Sequence, residues 1–126
     1  MMQKTARPAP EFVVAQPLSS RVELLAWLDE QAPTTLLRVP VELQVSVMGV
    51  SGAGLGFASD RLEVKVNDSA LGESLADRAQ EFCGDQPTCA MWVWGHWRNG
   101  TLAVTRAEGA IATGDRAAAT HVFVAR

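Results

Sequence analysis

Apolar positions recur along this chain at two spacings, and each spacing marks a kind of element. After residue 19, Val22, Leu24, Leu25 and Leu28 fall on one broad side of a helix, while Glu23, Asp29 and Glu30 fall on the other. Ser20-Arg-Val-Glu23 has the form of a capping box, in which the Ser20 hydroxyl accepts from the amide of Glu23 and the Glu23 carboxylate reaches back. Pro33 prevents much continuation, so the predicted helix ends near Gln31, with Trp27 at its margin. From Val39 to Val50 the spacing becomes two. Val41, Leu43, Val45 and Val47 share one side, and Glu42, Gln44, Ser46 and Met48 the other, which predicts a half-buried strand. Ser51-Gly-Ala-Gly-Leu-Gly56 reads as a flexible loop. Strand character resumes with Leu62, Val64 and Val66 inward and Glu63 and Lys65 outward, so the two strands are expected to form a long hairpin.

Asn67-Asp-Ser is turn chemistry, and Ser74-Leu-Ala-Asp77 offers a second helix start. Leu75, Ala79 and Phe82 then recur at helical spacing up to Gly84, which is placed as a C-terminal cap. Ala90 to Arg98 reads as a strand. Asn99-Gly100 is the dipeptide favoured in a type I′ hairpin turn, and Leu102 and Val104 continue inward on the return strand. A less regular stretch with Gly109 and Gly114 leads to a final strand at Thr120 to Ala125. Residues 1–18 have no periodicity and read as a flexible N-terminal arm, leaving residues 19–126 as a single globular domain.

The order after the first helix is strand, Gly-rich turn, strand pair, helix, strand, Asn-Gly turn, strand. It resembles the small five-stranded Greek-key barrels of the OB-fold, of bacterial type, over about residues 39–112. The resemblance rests on element order, and four strands are read directly, with the third placed between Phe57 and Val66. It implies a mainly β fold with two helices: an OB-like barrel plus an N-terminal helix. The alternative is an α+β open antiparallel sheet with both helices on one face.

Composition narrows the function classes. The 126 residues suit one domain, and 48% hydrophobic with 20% charged residues is ordinary globular usage. The apolar runs are too short for a transmembrane segment. Eleven basic against fourteen acidic side chains give a net charge of −3, which weighs against nucleic acid as the partner. The N-terminus has no apolar signal region, and its prolines resemble the tether that follows a cleaved signal or lipid anchor.

Cys83 and Cys89 allow three states. Gly84 and Pro87 let the chain double back, so the leading reading is a disulfide, placing the protein in a periplasmic or secreted setting. The alternatives are a zinc site made with His96 and Asp85, or two reduced buried thiols in a cytoplasmic protein. The spacing matches no established metal motif, so no metal or other cofactor is assigned.

The strand at Ala90 to Arg98 is apolar on both sides. Met91, Val93 and Trp97 share one parity, and Trp92, Trp94 and His96 the other. Two tryptophans at i and i+2 form an aromatic strip, which either meets a partner or is covered by the N-terminal helix. The candidate ligand-binding set is therefore Trp92, Trp94 and His96, with Arg98 and Arg106 as polar neighbours. No base–nucleophile pair accompanies His96, and no catalytic residue is assigned. The glycine loop lacks the lysine and following helix of a phosphate loop. Glu73, Asp77 and Glu81 have the spacing of a solvated helix face. The expected function is thus a non-catalytic, exported binding module for a protein surface or small ligand. Two other readings compete with it: single-stranded nucleic-acid binding through the same tryptophans with Lys65, Arg98 and Arg106, and a thiol or zinc centre at the cysteines.

Overall fold

Both predicted helix starts are capped by the serine that the sequence marks. In the computed structural model, which describes residues 10–57 and 60–126, Ser20 Oγ accepts from the Glu23 amide and Ser74 Oγ from the Asp77 amide, each at 3.3 Å. They begin helices α1 (Arg21–Glu30) and α2 (Leu75–Cys83). The strands are β1 (Phe12–Pro17), β2 (Leu37–Ser46), β3 (Gly49–Leu55), β4 (Leu62–Asn67), β5 (Thr88–Arg98), β6 (Thr101–Ala110) and β7 (His121–Ala125), with a 3-10 turn at Thr113–Ala118 before β7.

Five of the strands close into a barrel in the order β2, β3, β4, β6, β5 and back to β2. Only the β4–β6 pairing within it is parallel. With a helix between its third and fourth strands, this mainly β architecture is compatible with an OB-like fold. Inside it lie Val39, Val41, Leu43, Leu55, Met91, Val93, Leu102 and Val104, all 2% exposed or less. Leu24 and Leu28 of α1 and Leu75 and Ala79 of α2 join the same cluster.

β1 and β7 form an antiparallel ribbon outside the barrel, and β7 joins β2 at Leu37 and Arg38. Pro40 is tolerated in mid-strand because of this arrangement. Its carbonyl accepts from the Gly56 amide, so its nitrogen faces the same edge, between the stretches of β2 paired with β7 and with β3.

Several expectations are corrected. Of the expected arm, residues 1–9 lie outside the described residues, while Phe12–Pro17 is a strand paired with β7. Its periodicity is hidden because both of its faces are partly covered and a bulge falls between Val14 and Gln16. The Gly-rich segment is not a loop but most of β3, so the expected hairpin is a three-stranded meander. Gly54 is small for a steric reason: a Cβ there would lie 2.5 Å from the Arg61 side chain, which crosses β3 to reach Glu42. Strand β2 ends at Ser46, so Val47 is fully exposed in the turn instead of pointing inward. On α1, Val22 and Leu25 are exposed and only Leu24 and Leu28, one turn apart, are buried, so the helix meets the core along a narrow apolar stripe.

Candidate functional site

Strand β5 has the two-faced character its sequence predicts. Met91, Val93 and Trp97 are buried, whereas Trp92, Trp94 and His96 are half-buried on the outer face. The N-terminal helix is not what covers them. Helix α1 takes the inward parity instead, where Trp97 Nε1 donates to Asp29 Oδ1 at 2.8 Å.

The outer tryptophans are framed by neighbouring strands. Phe12 of β1 meets Trp94 edge-on at 4.9 Å between ring centroids, and Phe123 of β7 meets Trp92 at 5.8 Å. Arg38, opposite Trp94 on β2, lays its guanidinium 3.9 Å above the Trp92 ring. The Arg106 guanidinium lies 4.4 Å from the Trp94 ring. Both contacts put a cation against the negative face of an aromatic ring.

Glu108 ties these groups together. Its carboxylate accepts from both arms of the Arg38 fork and from Trp94 Nε1, the latter at 3.2 Å. The Arg38 hydrogen bond is the main reason its pKa lies below the ordinary 4.5, outweighing the opposing effect of partial burial. Of two bulges in the β5–β6 register, the one at Trp94/Gly95 reverses the parity of β6 and so brings Arg106 and Glu108 to the outer face, and the one at Trp92/Val93 leaves Glu108 as the extra residue between Ala107 and Gly109. The result is one cluster in which rings and charges hold each other in fixed positions.

Of the five predicted residues, Trp92, Trp94 and Arg106 come together in this cluster. The other two are engaged farther along the strand, by the loop after α1: His96 Nδ1 lies 2.9 Å from the Thr35 carbonyl, and Arg98 Nε donates to the Pro33 carbonyl. Sequence reasoning missed Arg38, Glu108, Phe12 and Phe123. Parity along β2 marks Arg38 as outward, but the bulges hide Glu108, and no local pattern joins the chain ends to β5.

Trp92 has a second set of neighbours. Ala90, Ile111 and Ala119 form a small buried cluster outside the barrel, against which Trp92 and Phe57 pack. The two cysteines are joined as the disulfide Cys83–Cys89, which links the end of α2 to the start of β5. In that state neither sulfur is a thiolate, and among the described residues no cluster of three or more His, Cys, Asp or Glu is placed to hold a metal. No described helix is long and apolar enough to cross a membrane. No protein-family model matches the chain, and comparison with curated proteins and with solved structures likewise finds no match.

Proposed function

We propose that this chain is a non-catalytic binding module on an OB-like barrel, and that it docks a protein partner on the outer face of β5. The observation that carries the reading is the Trp94 environment: a half-buried ring set between Phe12 and Arg106, with its N–H fixed by Glu108. Tryptophan and arginine are the side chains that most often anchor protein interfaces, and a ring already held in place loses little freedom on binding. The net charge of −3 weighs against a nucleic acid, and within the cluster Arg38 is paired with Glu108, which leaves Arg106 as its cation without an ion pair among the described residues.

The disulfide supports an exported protein, because such bonds persist in oxidising compartments and are rare in the cytosol. Thiol trapping in intact producing cells tests this part. Protection of both cysteines from alkylation agrees with export, and two reactive thiols in the soluble cytoplasmic fraction refute it.

The docking surface is tested by placing a photo-cross-linking amino acid at Arg106 in the producing cell. A discrete protein adduct is expected, and it should be lost when Trp94 is also changed to Ala. An adduct unaffected by Trp94→Ala, or none at all, overturns the reading. Salt-sensitive binding of a single-stranded oligonucleotide that depends on Trp94 replaces the protein with a nucleic acid as partner.

A further inference from the structure

We propose a second binding site, for a small, largely apolar molecule carrying one carboxylate, in the cleft between the end of β1, the end of β3 and the 3-10 turn before β7. It adjoins the outer face of β5 through Phe57 and Ala119, which pack with Trp92, but its argument does not rest on the docking proposal.

The cleft has a volume of about 460 Å³, within the size range of small-molecule sites. Leu18, Leu55, Phe57 and Ala119 supply apolar walls. Leu55 and Ala119 are themselves 2% and 5% exposed, so the floor is rigid core and not a mobile surface. A concave apolar cleft of this kind takes an apolar body, and its polar groups decide what that body must carry.

Arg116 is the deciding group. Its Nε is buried and has no hydrogen-bond partner among the described residues, and its guanidinium lies 5.8 Å from the Phe57 ring. The rest of the side chain is only half-buried and lines the cleft, so an incoming anion would meet the guanidinium from its open side and neutralise a charge that has no ion pair among the described residues. Arg78 makes the contrast. Its Nε is also enclosed, but Glu73 and Glu81 lie within ion-pair distance. No such carboxylate pairs with Arg116 among the described residues.

The other polar groups of the cleft narrow the ligand. Arg61 is already paired with Glu42 and Glu63, so it adds little free positive charge. His121 Nδ1 is engaged by Thr120 Oγ1 at 2.8 Å. Asp60 also lines the cleft, and its negative charge opposes a dianion such as phosphate. One uncompensated guanidinium with a planar fork fits a single carboxylate, which it can grip through two parallel N–H bonds.

Octanoate is a suitable probe, with 1-octanol as its uncharged counterpart. Titration of the isotopically labelled full chain, followed by amide NMR shifts, should show saturable binding of octanoate centred on Gly56, Phe57, Ala117 and Ala119. Binding should weaken by about tenfold or more for 1-octanol and for Arg116→Gln, with partial recovery in Arg116→Lys. The alcohol comparison uses the unaltered protein, so it holds even if a variant folds poorly. The proposal is overturned if octanoate does not bind, or if its shifts centre elsewhere. Equal binding of the alcohol, equal binding by Arg116→Gln, or the same response to inorganic phosphate also overturns it.

Discussion

Replacing Gly95 with alanine tests the register on which the outer face of β5 depends. A Cβ at that position would lie 2.3 Å from the Ala103 carbonyl oxygen, 3.0 Å from its carbon and 3.2 Å from Val104 Cα. All three atoms are backbone of β6, the antiparallel partner strand, so no side-chain rotation can make room. An ordinary carbon–oxygen contact is about 3.3 Å, and β5 and β6 must therefore part by roughly 1 Å. Such a shift stretches nearby ladder hydrogen bonds toward their limit and loosens the seam that holds Val93, Trp97 and Val104. Overpacking costs about 1–3 kcal/mol and one weakened hydrogen bond about 1 more, so Gly95→Ala should lose about 2–4 kcal/mol. Urea unfolding followed by tryptophan fluorescence reads this as a lower midpoint with an unchanged slope. Gly109→Ala is the control. Nothing lies within 4 Å of a Cβ there, and the change should stay within about 0.5 kcal/mol. If Gly95→Ala is as mild as the control, the close approach to β6 does not exist. A slip of β5 by one residue is then the simplest cause, and it would turn Trp92 and Trp94 inward and remove the proposed docking surface.

Two further outcomes concern charge and covalent structure. Glu108 has a folded-state pKa below its ordinary 4.5, so its contribution is fully present above that value and is lost as pH falls through the depressed one. The urea midpoint of the parent protein should thus decline on the acid side more than that of Glu108→Gln, and superimposable acid limbs would contradict the Arg38–Glu108 pairing. Opening the Cys83–Cys89 loop, with its sequence separation of 6, by Cys83→Ser with Cys89→Ser should cost about 2 kcal/mol, and an unchanged midpoint would refute the clamp between α2 and β5.

How far the sequence discloses this architecture depends on whether a local pattern carries the information. Ser20 and Ser74 mark helix starts because a cap acts within one turn, and Asn99-Gly100 marks a hairpin because both residues take positive φ, 50° and 77°. Parity separates the faces of β5 because side chains alternate along any strand. Strand β3 escapes because its glycines Gly52 and Gly54 answer to Gln44 of β2 and to Arg61 just before β4, not to their own neighbours. Strand β1 escapes because it is defined by pairing with the opposite end of the chain. The candidate site divides the same way: Trp92, Trp94 and Arg106 are legible from β5 and its hairpin, while Arg38, Glu108, Phe12 and Phe123 become neighbours only through bulges and long-range pairing.

The ribbon of β1 and β7 gives the outer face a place in time as well as in space. Phe12 and Phe123, which frame Trp94 and Trp92, belong to segments near the two ends of the sequence, and their pairing closes the longest loop in the fold. The barrel strands β2 to β6 lie between them and can pair before that loop closes. Synthesis from the N-terminus leaves Phe12 waiting until Phe123 has emerged. A nascent chain that has not yet released β7 can therefore form much of its barrel while Trp92 and Trp94 still lack the frame that Phe12 and Phe123 provide, so this face is the last part of the fold to be completed.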